Sequence, residues 1–167
     1  MDIPFEKDSF DAVICIEAAF HFDRRKFIAE AFRVLKKGGR LVVVDFMWQS
    51  RLKKDVLAHP DMHTVRSVWK WKDFDSMDEY QQNAREAGFA VRSFHDWSPN
   101  VVMAFYHLCR SVSRLGRTHA GRKILSWMNP QLREIKTSHW EELDRIVLAH
   151  DYVRQHTRYA ALTLEKS

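Results

Sequence analysis

With 167 residues the chain has room for one domain with a real core. A hydrophobic share of 46% against 29% charged excludes a disordered chain, and no apolar run approaches the length that spans a bilayer. The formal charge of +5 leaves a basic surface, with Arg110 to Lys123 holding five Lys or Arg and no acid. A solvated helix face is the first reading of that run; nucleic acid, anionic lipid and an anionic substrate rank behind it.

The chain order begins with Phe10 to Ile16, "FDAVICI", a nearly continuous apolar run suited to a strand covered on both faces. Asp23 is an expected N-cap, and Phe27, Ile28, Ala31, Val34 and Leu35 recur at helical spacing over Arg24 to Lys37. "KKGG" is expected to close that helix, with Lys36 and Lys37 at its negative end and Gly38 in a left-handed cap. "RLVVVDF", Arg40 to Phe46, is a second buried strand ending in Asp45, so the three elements form a βαβ unit. Met47 to Asp75 reads as less regular. "SMDE" at Ser76 to Glu79 is a capping box opening a helix that ends at Gly88. "FAVRSFHDW", Phe89 to Trp97, is a third strand. Ser98 and Pro99 are expected to start a helix whose apolar stripe holds Val101, Val102, Phe105, Leu108, Val112 and Leu115, with core packing its first reading. A further helix is expected over Gln131 to Gln155 and a last strand over Arg158 to Lys166.

Cys15 and Cys109 are expected as buried free thiols of a reducing compartment, not as a disulfide framework. The acidic start "MDIPFEKDSF" has no signal-peptide core, so the expected location is cytoplasmic. His59 and His63 stand four apart with Asp61 between, a metal-ligand spacing if helical; Pro60 weakens a helix there and no third ligand stands out, so no metal is expected. Trp48, Trp69, Trp71 and Phe74 read either as a lid over a hydrophobic acceptor or as packing against the last helices.

"IPFEKDSFDAVICIEAAFHF", a helix, and then "EAFRVLKKGGRLVVVDF" resemble the second half of a class I S-adenosylmethionine-dependent methyltransferase. They are most similar to the "methyltransferase type 11" kind that acts on oxygen or carbon of small molecules. The resemblance implies an α/β fold: a partial Rossmann-like methyltransferase sheet, its fourth to seventh strands, with additional helices. Residues 1–97 would be the second half of the core, 98–156 a helical acceptor-side segment and 157–167 the final strand. The glycine-rich cofactor turn of the family does not occur: the five glycines make no G-x-G after a strand. A truncated or partial chain with a weak or incomplete S-adenosylmethionine site is therefore expected.

By the same resemblance His21 is a general base in the loop after the fourth strand and Asp45, one strand over, its positioning carboxylate. Cys15, Ile16, Glu17 and Ala18 would line the cofactor pocket, with Asp2 and Ile3 near the adenine. Asp11 would serve the fold. The expected partner is a small hydrophobic acceptor. The uncovered fourth strand also offers self-association or pairing with an upstream fragment, and a non-catalytic domain that pairs through this strand is the alternative function. Nucleic acid and membrane are lesser expectations.

Overall fold

The computed structural model describes residues 2–52, 54–71 and 73–167. Four strands form one sheet in the order β1-β2-β4-β3: β1 (Phe10–Ile16), β2 (Leu35–Trp48), β3 (Phe89–Asp96) and β4 (Thr157–Lys166). β1 and β2 are parallel, with Cys15 opposite Val43 and Ile16 opposite Val44. β4 is antiparallel to both β2 and β3, placing Tyr159 opposite Phe46. This is the expected α/β sheet, and it positions the carboxyl ends of β1 and β2 side by side.

The helices are α1 (Arg24–Val34), α2 (Lys54–Leu57), α3 (Pro60–Trp69), α4 (Met77–Glu86), α5 (Val102–Gly116), α6 (His119–Met128) and α7 (Thr137–Val153). By compactness the chain falls into two units. One comprises Met1–Leu52, Lys70–Ser98 and His156–Ser167; the other comprises Lys53–Trp69 and Pro99–Gln155.

The sheet unit has its core between the sheet and α1 and α4. Phe27, Ile28 and Ala31 of α1 and Tyr80 and Ala84 of α4 pack on Leu41, Val43, Leu162 and Leu164. Asp23 caps α1 as its sequence predicts, accepting from the Lys26 N–H at 3.2 Å. The capping box at α4 is complete: Ser76 Oγ accepts from the Glu79 N–H, and Glu79 Oε2 accepts from the Ser76 N–H at 2.8 Å.

Several expected boundaries move. α1 stops at Val34, because Leu35 already pairs with Phe10 of β1 and the sheet takes over the backbone hydrogen bonds. The cation at the carbonyl end of α1 is therefore not Lys36 or Lys37. It is Lys166 of β4, whose Nζ donates to Phe32 O at 2.8 Å, Leu35 O at 2.6 Å and Asp8 Oδ1 at 2.8 Å. Lys36 instead pairs with Asp11 at 3.0 Å, and Gly38 does adopt the left-handed region, φ 76°, within β2. Ser98 caps no helix: its Oγ accepts from the Tyr159 N–H at 2.8 Å, and α5 begins at Val102. Pro60 opens α3 rather than weakening it, because the first helical position needs no N–H. The helix expected from Gln131 is a 3-10 turn (Pro130–Glu134) followed by α7.

The helical unit packs α3 and α5 against α7. Trp140 is buried, and Asp144 draws Arg110 Nη1 to 2.9 Å, Ser113 Oγ to 3.0 Å and Arg117 Nη1 to 3.5 Å. His59 stacks on Tyr152 with ring centroids 3.8 Å apart, and its Nδ1 accepts from the Asp61 N–H. Among the described residues no group of three or more His, Cys, Asp or Glu side chains could hold a metal ion.

Candidate active site at the strand ends

β1 ends at Ile16, and Glu17 turns the chain in the left-handed region at φ 50° while its N–H still donates to Val44 O at 2.8 Å. A non-glycine residue held there is uncommon and marks a backbone fixed by its surroundings. A 3-10 turn (Ala19–His21) follows and carries Phe20 and His21 back over the end of β2. The turn is tied to Asp45, whose Oδ2 accepts from the Phe20 N–H at 3.2 Å and whose Oδ1 accepts from the Phe46 N–H at 2.8 Å.

Asp45 is buried, 1% exposed. Burial pushes its carboxyl up to about 6, against the pull of the Phe46, Phe20 and Ala19 amides, and the nearby Glu17 charge adds to the rise. The Cys15 thiol, buried beside it, is also pushed up, first by burial and then by Asp45. Glu17 is exposed and its Oε1 accepts from the Tyr159 hydroxyl at 2.8 Å. Burial and that bond push the Tyr159 phenol up to about 12.

The wall beside these groups is aromatic. Tyr159 and Phe46 lie 5.0 Å apart by ring centroid, Phe46 and Phe74 6.2 Å, and Phe20 and Phe74 5.8 Å. Phe74 stacks on Trp71 at 4.1 Å and meets Trp48 at 4.9 Å, while Trp48 Nε1 donates to Asp73 Oδ1 at 2.9 Å. Trp48, Trp71 and Phe74 thus form one cluster in the sheet unit. Trp69 belongs to the helical unit, where its Nε1 donates to His150 Nε2 at 2.8 Å.

Of the residues singled out from the sequence, Cys15, Ile16, Glu17, Ala18, His21 and Asp45 come together at this end of the sheet. His21 is exposed, its ring 4.1 Å from that of Phe20. Among the described residues no hydrogen bond joins His21 to Asp45, so the carboxylate reaches the histidine through the turn backbone and not by direct contact. Asp2 and Ile3 have their partners elsewhere: the Ile3 N–H donates to Glu30 Oε2 at 3.0 Å and Arg33 Nη2 donates to Ile3 O at 2.9 Å. Asp2 lies 4.0 Å from the same guanidinium. Tyr159 is the member of the cluster that sequence reasoning missed. Its signal, a tyrosine in the second position after the start of an antiparallel strand, has no local pattern that points to a glutamate so far away in the chain.

Residues 1–43 match the family described as "Methyltransferase domain". Over 100 residues the chain is 38% identical to the 27-O-demethylrifamycin SV methyltransferase of Amycolatopsis mediterranei, a match covering 59% of this chain and 36% of that protein. Over 103 residues it is 33% identical to an O-methyltransferase of Aspergillus sclerotiorum, covering 60% and 37% respectively. The geranyl diphosphate C-methyltransferase of Streptomyces coelicolor A3(2), crystallised with S-adenosyl-L-homocysteine, superposes with a TM-score of 0.61 at 16% identity. That superposition covers 99% of this chain and 50% of that one. At such identity the likeness speaks to the fold. The matches span a little over a third of these curated relatives and half of the crystallised one.

Proposed function

We propose that the chain is part of a class I S-adenosylmethionine-dependent methyltransferase and that its strand-end cluster serves methyl transfer to an oxygen or carbon of a small hydrophobic metabolite, a reading supported by the family match over residues 1–43 and the likeness to O-methyltransferases. The observation that carries this reading is the exposed His21 on a turn whose backbone is bound to buried Asp45, beside a wall of Phe20, Phe46, Phe74 and Tyr159. Such a wall suits a polyketide, sugar-linked or lipid-like acceptor with apolar surface. S-adenosylmethionine, when bound, supplies an electrophilic methyl group on a sulfonium.

In this reading Ile16, Glu17 and Ala18, exposed or half-buried at the free side of β1, hold one side of the cofactor, with Cys15 beneath them. The left-handed backbone at Glu17 presents that strip outward, and Tyr159 keeps the carboxylate in place. His21 takes the proton of an acceptor hydroxyl as the oxygen attacks, a task suited to an imidazole near its working pH. Asp45 holds the turn that aims it.

Titration calorimetry with S-adenosylhomocysteine tests the cofactor half. Contact on one side only predicts weak binding, roughly 0.1–1 mM or about −4 to −5.5 kcal/mol. Absence of heat at any concentration removes the cofactor assignment; micromolar binding removes its one-sidedness. With methyl-labelled S-adenosylmethionine and a panel of phenolic and polyketide acceptors, His21→Ala is expected to lower turnover by about 10²–10⁴ with an unchanged circular dichroism spectrum.

A second reading rests on β1 itself. Ile14 is 66% exposed and Ile16 60%, on a strand whose outer side pairs with no strand among the described residues. A non-catalytic domain that pairs with a partner through β1 would use this edge.

A further inference from the structure

Two helices of the helical unit turn large apolar residues to water. α5 buries its small residues, Ser113 and Gly116, and exposes Val101 at its N-cap, Phe105, Leu108 and Leu115. α6 buries Gly121 and Leu125 and exposes Ile124, Trp127 and Met128. The stripe expected to be core is thus in large part surface. Trp127 is 82% exposed, Met128 70%, and Phe105 and Leu108 61% each. Ile124, Trp127 and Met128 stand at i, i+3 and i+4, so they form one face of α6. Large apolar groups on one helix face mark a docking surface.

Charge says what docks. The residues of the helical unit, Lys53–Trp69 and Pro99–Gln155, hold twelve Lys or Arg against seven Asp or Glu, a net of +5. The sheet unit holds fifteen of each, so the whole formal charge of the chain lies in the helical unit. Arg110 and Arg117 are engaged with Asp144, and Arg122 donates to Gly116 O. Lys123 flanks the α6 stripe beside Trp127, and Arg114 lies on the solvent side of α5; both are exposed, and neither has an ion-pair partner among the described residues. No helix among the described residues is long and apolar enough to cross a membrane.

We propose that α5 and α6 dock the helical unit onto an anionic bilayer surface, with Trp127, Met128, Ile124 and Phe105 entering the headgroup boundary and Arg114 and Lys123 on the phosphates. An amphipathic helix with Trp and aliphatic residues on one side and cations beside them lies in this plane. Anionic lipid draws each nearby cation while the apolar face leaves water. A nucleic acid would use the cations and leave Ile124, Leu108 and Met128 in water. A second copy would bring two +5 units together. The proposal is independent of the methyl-transfer reading.

Flotation of the full chain with vesicles tests it. Partition is expected into phosphatidylcholine vesicles containing phosphatidylglycerol, not into phosphatidylcholine alone, and it is expected to fall as salt is raised. Trp127→Ser with Met128→Ser, and separately Arg114→Glu with Lys123→Glu, are each expected to lower partition at least about tenfold. All four side chains are exposed, and a melting curve like that of the parent chain confirms that the variants fold. Absence of partition into the anionic vesicles overturns the proposal, as does equal partition by both double variants. A concentration-dependent dimer broken by the serine pair without vesicle binding, or binding to single-stranded DNA alone, overturns it too.

Discussion

Asp45 carries the clearest pH signature of any single residue. Its carboxyl is pushed up from 3.8 to about 6, so it holds its proton more tightly folded than unfolded. The stability it permits is complete below about pH 4 and is withdrawn as pH rises through about 6. A displacement of roughly two pH units corresponds to about 3 kcal/mol at most. Asp45→Asn is therefore expected to flatten the fall in urea midpoint between acid and neutral pH. Tyr159 titrates at the other end of the scale, at about 12, with the same sign: ionising it at high pH opposes folding. Tyr159→Phe keeps the ring on Phe46 and deletes the bond to Glu17, which is expected to remove a tyrosinate absorbance step near pH 12 and cost about 1 kcal/mol. That Glu17, His21 and Asp45 lie near one another could be expected from the sequence, because Glu17 and His21 come after one apolar run and Asp45 falls at the end of the next, although β2 itself continues past Asp45 to Trp48. Tyr159 was not, because the bond joining it to Glu17 crosses 142 residues, and only the pairing of β2 with β4 brings the two together.

Elements show the same division between local and distant causes. The N-caps at Asp23 and Ser76 were readable because cap and target lie three residues apart. The end of α1 was not, because the strand pairing of Leu35 and the arrival of Lys166 decide it. Lys166→Met would leave Phe32 O, Leu35 O and Asp8 without their donor, and a loss of about 1–3 kcal/mol in chemical denaturation is expected. Glycine at the end of α5 has a steric cause that the sequence does not display. A Cβ on Gly116 would stand 2.1 Å from the Trp140 ring, so Gly116→Ala forces the buried indole to move. Overpacking of this kind costs about 1–3 kcal/mol and is expected as a lowered melting temperature.

At the scale of the whole molecule, β1 is both a site-bearing strand and a sheet edge. From Ala12 to Ile16 this edge carries no charge or proline, and such an apolar stretch is a template for pairing between chains. Ile14→Lys, on the exposed face, is expected to delay the onset of light scattering on heating without lowering the melting temperature by more than a little. The strand order has a further consequence for how the chain is made. β4 lies between β2 and β3, yet it follows both in sequence, so β3 has no neighbour in the sheet until the final strand arrives. During synthesis β1, α1 and β2 leave the ribosome able to pair, while β3 waits unpaired through the emergence of α5, α6 and α7. Pairing of β3 therefore waits for β4, a contact of long sequence separation that closes this sheet last and leaves the β3 backbone for chaperones to guard until then.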